Sequence, residues 1–210
     1  MSKRTGVLEF AVLGLLHESP MHGYELRKRL NSVLGSFRAF SYGSLYPCLK
    51  QLVTSGWIAE DEPEGTRAGK RSKIVYKLTA EGKERFQKLL TEGGPSAWED
   101  ENFGVHFAFF SRTDAATRLR ILEGRRSRLE ERVEVFRGSL TRRRERMDSY
   151  TLELQRHGLD SVEREVRWLG ELIEMERRHR LGGSGSPDGP GTPAGSSPVT
   201  DGPPTDSNNE

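Results

Sequence analysis

The sequence predicts a mainly α-helical chain: a winged helix-turn-helix N-terminal domain, a C-terminal helical domain resembling a coiled coil, and a disordered tail. In residues 5–90, three segments with helical apolar spacing precede an alternating hairpin and a fourth helix. Beyond residue 91, apolar residues fall on rows seven apart, as in paired helices. From residue 182 the chain is almost all Gly, Pro, Ser, Thr, Asp and Asn, which cannot offset the entropy of ordering. The predicted domains are residues 1–91, 92–181 and 182–210.

Apolar spacing predicts the first three helices. The first covers about residues 5–18 and is apolar on more than one side, which indicates burial. Its basic and then apolar start also suits a signal peptide, but Glu9 interrupts the run and no small-residue cleavage site follows. The second helix, 24–34, carries a basic run at 27–29. The third, 41–55, contains Pro47, a residue that normally costs a helix interior about 3 kcal/mol, and ends at Gly56.

A β-hairpin with a basic tip follows the third helix. Ile74, Tyr76 and Leu78 alternate with more polar neighbours, as in a half-buried strand, and residues 57–61 supply its partner. The long tip between the two strands is rich in Arg and Lys. Thr79 is then placed to cap a fourth helix that has an acidic residue in its first turn.

Charge is unevenly distributed along the chain, although the net charge is only +2. Residues 1–90 carry 15 Lys and Arg against 9 Asp and Glu, residues 91–181 are neutral, and the tail has 4 acids without a base. The basic excess suits a phosphate backbone, but it is also compatible with an ordinary solvated surface. One cysteine excludes an intramolecular disulfide, and no apolar run is long enough for a membrane helix, so a cytoplasmic protein is predicted.

The outward side of the third helix is the candidate nucleic-acid interface. Tyr46 and Lys50 lie one turn apart, within reach of base edges or phosphates, and Gly43 permits close backbone approach. The free N–H groups at the helix start attract phosphate. Alternatively, the tyrosines pack beneath the hairpin and Lys50 is merely solvated. Together with the hairpin tip, the predicted DNA-contacting set is Ser41, Tyr42, Gly43, Ser44, Tyr46, Lys50, Arg67, Lys70, Arg71 and Lys73.

Three segments resemble the PadR family of bacterial transcription regulators: "AVLGLLHESPMHGYELRKRL", "YGSLYPCLKQLVTSGWI" and "YKLTAEGKERF". The resemblance implies a winged helix-turn-helix, a helical dimerisation domain, and a recognition helix at 41–55 whose Ser44, Tyr46 and Lys50 face double-stranded DNA. It further implies a homodimeric repressor on an inverted repeat, released by a small effector. Family members commonly have Ser-Pro where this chain has Ser41-Tyr42, which offers Tyr42 as an extra contact. The alternative is a winged-helix module that binds another protein.

One long helix, about 65 Å from residue 115 to 157, is predicted for the second domain. The segment "RHGLDS" would end it, and a last helix would reach about residue 181. The apolar rows need a partner, which is either the last helix in an antiparallel hairpin or a second copy of the chain; the two are compatible. The predicted dimer interface is Leu122, Leu129, Val133, Phe136, Leu140, Met147, Tyr150 and Leu154.

Other chemistry-bearing residues give weaker signals. The five histidines lack Cys or acidic partners at ligand spacing, and no nucleophile or phosphate-loop motif occurs, so neither an enzyme nor a metal or cofactor site is expected. Cys48 has no resolving cysteine, which favours burial over a redox switch. Five aromatic residues are either ordinary core or, because PadR relatives bind flat aromatic effectors, an effector pocket. They are Trp98, Phe103, Phe107, Phe110 and Trp168.

Overall fold

The computed structural model describes residues 3–34, 42–61, 74–143 and 147–182. Its helices are α1 (Lys3–Glu18), α2 (Gly23–Leu34), α3 (Tyr42–Thr54), α4 (Ala80–Thr91), α5 (Phe103–Ala108), α6 (Ala115–Arg143) and α7 (Ser149–Gly182). Its strands are β1 (Met21–His22), β2 (Ile58–Asp61) and β3 (Val75–Leu78). The predicted mainly helical fold with a winged helix-turn-helix is confirmed. Of the predicted tail, only Gly182 is described, as the last residue of α7, and residues 183–210 lie outside the described residues.

Helix α1 is the centre of the N-terminal core. Ala11, Val12 and Leu13 on successive sides of the helix are fully buried, as its all-round apolar character predicted. Glu9 is also buried, only 5% exposed, among these apolar side chains. Arg85 of α4 compensates its charge by donating from Nε and Nη2 to Glu9 Oε1, both at 2.8 Å. This ion pair ties α4 to α1.

A small antiparallel sheet in the order β1-β3-β2 forms the wing's base. The predicted hairpin is confirmed, with Ile58 opposite Leu78 and Asp61 opposite Val75. Strand β1, which pairs Met21 with Tyr76, was not predicted; it has two residues and exists only through its partner strand.

The junction between the wing and α4 is closed by a helix cap. Thr79 is the N-cap that the sequence predicted: its Oγ1 accepts a hydrogen bond from Gly82 N at 3.0 Å and donates to the main-chain oxygens of Gly56 and Trp57. Gly82 packs so closely on the wing that a Cβ there would lie 1.9 Å from the carbonyl oxygen of Trp57.

Helix α3 accommodates Pro47 because of where the proline falls. The missing N–H would have bonded to the carbonyl of Gly43 in the first turn. Both residues are exposed, so water can satisfy that carbonyl. The opposite side of the helix is buried through Leu45, Leu49 and Leu52. The helix therefore presents one apolar face and one exposed face, as predicted.

The single long helix predicted for residues 115–157 is wrong. Helix α6 ends at Arg143, and α7 starts at Ser149 and runs antiparallel to it. Asp148 ends the connection, because its Oδ1 accepts hydrogen bonds from the N–H groups of Tyr150 and Thr151 at 3.0 Å, a helix N-cap. Nor does "RHGLDS" end a helix, since Gly158 lies inside α7. The intramolecular hairpin, which the sequence left as an alternative, is confirmed.

Two hydrophobic cores result. One holds α1–α4 with the sheet, and the other lies between α6 and α7. The segment between α4 and α6 folds as a 3₁₀ turn (Pro95–Trp98), α5 and a second 3₁₀ turn (Phe110–Arg112). Val105 and Phe109 of this segment join the first core, so packing crosses residue 91, where the sequence placed a domain boundary. No helix among residues 3–34, 42–61, 74–143 and 147–182 could span a membrane.

Candidate nucleic-acid interface

The exposed face of α3 is formed by Gly43, Ser44, Tyr46 and Lys50. These residues lie opposite the buried leucines, so the core holds the helix by one side and leaves the other to solvent. The predicted split of α3 into an inward and an outward side is therefore observed. Tyr42 is the first residue of the helix. The remaining predicted contacts, Ser41, Arg67, Lys70, Arg71 and Lys73, lie outside the described residues.

Tyr46 is partly packed and partly exposed. A Cβ added to Gly23, the buried first residue of α2, would lie 3.3 Å from Tyr46 Oη, so the glycine makes room for the tyrosine ring. Burial raises the pKa of Tyr76 on β3, and the neighbouring Glu60 and Tyr46 raise that pKa further. Tyr46 nevertheless keeps 47% of its surface exposed. The ring is thus oriented by α2 and the sheet, yet remains accessible.

A groove of about 720 Å³ runs beside Tyr46, between α2 and the sheet. Its lining includes Tyr24, which is 67% exposed, and Lys28, one helical turn further along α2. Sequence reasoning assigned no contact to these two residues. The sequence signal that could have identified them is a tyrosine close to the basic run at 27–29. His22 Nδ1 lies 3.1 Å from the main-chain oxygen of Ile74, which fixes the floor of the groove to the base of the hairpin.

Cys48 lies on the inward side of α3 and is buried. Burial raises the pKa of its thiol to about 12, so the thiol is protonated at neutral pH. Burial of Cys48, favoured from the sequence, is confirmed. The described part of the chain contains no group of three or more His, Cys, Asp or Glu that could hold a metal ion.

Comparison with known proteins finds a family that matches the winged part of the chain. Residues 12–88 match the model of the family described as "Transcriptional regulator PadR-like family". Residues 12–88 therefore form a PadR-like segment of the chain. The resemblance drawn from the three sequence segments is thereby confirmed, and the members of this family are transcriptional regulators rather than enzymes.

The chain is also similar to a curated regulator. It is 32% identical over 90 residues to the "Negative transcriptional regulator PadR" of Bacillus subtilis (strain 168), which covers 42% of this chain and 48% of that protein. The chain therefore spans about half the length of this curated relative.

Solved structures of two complexes of Bacillus subtilis PadR and of one further protein are also similar to the chain. Bacillus subtilis PadR in complex with operator DNA is 23% identical, with 81% of this chain and 99% of that chain covered and a TM-score of 0.40. Bacillus subtilis PadR in complex with p-coumaric acid gives the same identity and coverage with a TM-score of 0.38. A putative regulator from Thermoplasma acidophilum, TA0346, is 28% identical over 40% of this chain and 75% of that chain, with a TM-score of 0.35.

The predicted dimer residues divide into groups of different exposure. Leu122, Leu129 and Val133 are buried beneath α7 of the same chain. The single-helix prediction required them to lie on the surface, and they do not. Tyr150 and Leu154, one turn apart on α7, are 88% and 67% exposed. The other members, Phe136, Leu140 and Met147, are partly buried. Their place in an interface between copies stays a prediction.

Four of the five predicted effector residues form one ring cluster. Phe107 lies 5.0 Å from Phe110 and 5.3 Å from Trp168 between ring centroids, and Phe103 meets Trp168 edge-on at 6.3 Å. Trp98 is separate, since its ring packs on Gly124 of α6, where a Cβ would lie 2.4 Å from Trp98 Cε3. Ring-on-ring packing of this kind matches the core alternative.

A buried arginine joins these segments. Arg125 of α6 donates from Nε to Glu165 of α7 at 2.7 Å, and from Nη1 to Asp100 Oδ1 at 2.9 Å and the carbonyl oxygen of Trp98 at 3.0 Å. Its guanidinium also lies 4.7 Å from the centre of the Phe103 ring. Because every donor used has a partner inside the fold, this arginine is a structural link.

Proposed function

We propose that this chain is a sequence-specific DNA-binding transcriptional repressor that acts as a homodimer and is released by a small aromatic effector. The exposed face of α3 is the observation that carries the proposal. Tyr46 and Lys50 project from a helix whose other side is anchored by three buried leucines. A rigid helix with donor and acceptor groups on its exposed face suits the major groove, where base edges differ in their hydrogen-bonding pattern. The curated relative described as a negative regulator supports repression.

Specific and non-specific contacts come from different parts of the winged domain. Ser44, Tyr46 and Lys50 read base edges, whereas the basic hairpin tip binds phosphates and contributes affinity without sequence choice. The groove beside Tyr46 adds Tyr24 and Lys28 on α2, the helix that crosses the backbone in a helix-turn-helix. Lys28 is exposed, as a phosphate contact requires.

A homodimer would place two α3 helices about 34 Å apart on an inverted repeat. Tyr150 and Leu154 support a second copy as the partner, because they form adjacent exposed apolar surface on one helix and contiguous apolar patches mark interaction sites. Leu122, Leu129 and Val133 contribute between copies only if α7 is exchanged from one copy to the other. Light scattering at micromolar concentration tests the assembly, and a monomer would contradict it.

The effector would bind beside α5, in a cavity whose lining contains none of the five predicted aromatic residues. This cavity of about 230 Å³ lies between α1, α4 and the segment around α5, with Arg85, Asn102 and His106 in its lining. The buried Asn102 Oδ1 has no hydrogen-bond partner, so a ligand hydroxyl could donate to it. A flat phenolic compound combines that hydroxyl with apolar surface for Phe10 and Val105.

The DNA proposal is tested by a gel shift against the gene's own upstream region over a salt series. Log affinity should fall steeply with log salt, because several counterions are released. Lys50→Ala should weaken the specific site by about tenfold or more and random DNA less. Lys88→Ala, an exposed lysine on α4, is the matched control and should change neither. If Tyr46→Ala and Lys50→Ala leave specific affinity unchanged, the winged domain is instead a protein-binding module.

A further inference from the structure

Helix α5 and the residue after it have side chains in both hydrophobic cores. Val105 and Phe109 belong to the core of α1–α4, whereas Phe103 and Phe107 pack with α6 and α7. The helix has six residues, so it is only about 9 Å long. A helix this short touches both cores at once, and close-packed interiors transmit strain.

On the side of α1, Phe109 fits a hollow that one glycine creates. A Cβ on Gly14 would lie 2.1 Å from Phe109 Cζ, so any larger residue would occupy the space of the ring. The ring also contacts Phe10 at 5.4 Å and meets Phe86 edge-on at 5.5 Å. The contact is therefore a socket of fixed shape on α1.

On the side of the hairpin, Trp168 of α7 is the matching anchor. Its ring lies 6.3 Å from Phe103 and 5.3 Å from Phe107, and the two contacts are on successive turns of α5. Arg125 covers the Phe103 ring from α6. A shift of α7 at Trp168 therefore changes the contacts of this ring with α5.

We propose that α5 is a mechanical link that transmits displacements of α7 at Trp168 to α1 through the Phe109–Gly14 contact. Helix α1 packs on α3, so the link reaches the helix with the exposed polar face. The path runs from the Trp168 ring contacts through α5 to the Phe109–Gly14 contact. It operates in the isolated chain, whether or not DNA is bound, and so goes beyond the proposed function.

The test is amide hydrogen exchange in the full chain without DNA. Trp168→Ala should accelerate exchange of α1 amides at residues 11–16 by roughly three- to tenfold, since an aromatic contact to α5 is lost. Val162→Ala is the matched control, because Val162 is buried in the same hairpin core about 9 Å further along α7. It should accelerate exchange in α6 and α7 only. Equal effects of both variants on α1 would overturn the proposal, as would no effect of Trp168→Ala there.

The socket is tested in the same assay. Gly14→Ala displaces Phe109, so Trp168→Ala should add no further acceleration in α1 when both changes are combined. If Gly14→Ala does not fold, Phe109→Leu replaces it, because leucine keeps the apolar volume but loses the ring. Trp168→Phe should restore slow exchange in α1. An undiminished effect of Trp168→Ala in the double variant would show that the signal travels by another route.

Discussion

Acidification should destabilise this protein through His106. The imidazole lies on α5, with its ring 4.8 Å from that of Phe10 on α1. Burial lowers its pKa from 6.5 to about 4. The native state therefore keeps the ring neutral at a pH where the unfolded chain already binds a proton. Stability is fully present above pH 6.5 and is lost as the pH falls towards 4.

The size of the loss follows from the two pKa values. Each pH unit between them costs about 1.4 kcal/mol when one extra proton binds the unfolded chain. Between pH 7 and pH 5 the free energy of unfolding should fall by about 2 kcal/mol from His106 alone. His17 acts in the same direction, because burial and the cations Arg112 and Lys83 lower its pKa as well.

Urea unfolding at pH 7 and pH 5 measures this loss. His106→Gln removes the titrating group, so this variant should lose about 2 kcal/mol less than the parent between the two values. His157→Gln, at an exposed site on α7, is the control and should behave like the parent. If the parent and His106→Gln lose equal stability, His106 is not the group that senses the pH.

Three further predictions concern single sites. Gly82→Ala should lower the free energy of unfolding by at least about 2 kcal/mol in thermal unfolding, since a Cβ would overlap a main-chain oxygen at 1.9 Å. Gly158→Ala is the control: a Cβ there meets no atom within 4 Å, so the free energy of unfolding should rise by up to about 1 kcal/mol. Arg85→Met should cost about 3 kcal/mol in urea unfolding, because it leaves Glu9 buried without its cation. Cys48 should react with a thiol reagent at pH 8 more than roughly a hundredfold slower in the folded than in the unfolded chain; equal rates would contradict its burial.

The winged domain was predictable because its signals are local. The two-sided pattern of α3, the alternation of β3 and the Thr79 cap each depend on residues within about one or two helical turns. Strand β1 gave no such signal. Two residues cannot show a period, and Met21 and His22 become a strand only by pairing with residues more than fifty positions later.

The helical hairpin was missed for a different reason. Apolar residues seven apart suit one long coiled-coil helix and also two antiparallel helices that share a core, so the row itself cannot show where one helix ends. Asp148 was the available signal, because a residue of this type just before an apolar run is a common N-cap. Gly158 caused the opposite error, because it belongs to the segment predicted to end a helix, although it lies inside α7. One glycine costs a helix only about 1 kcal/mol, which the packing of α7 outweighs.

The aromatic segment shows what sequence spacing cannot decide. Phe103 and Phe107 are one turn apart and share a side of α5, whereas Phe109 points away from them, as helical spacing indicates. The spacing shows that these rings lie on two sides of the helix, but not which core each side packs against. Those depend on Gly14, a residue 95 positions earlier whose missing side chain admits the Phe109 ring. A hollow made by an absent side chain leaves no periodic trace, and so the link between the two cores became visible only in three dimensions.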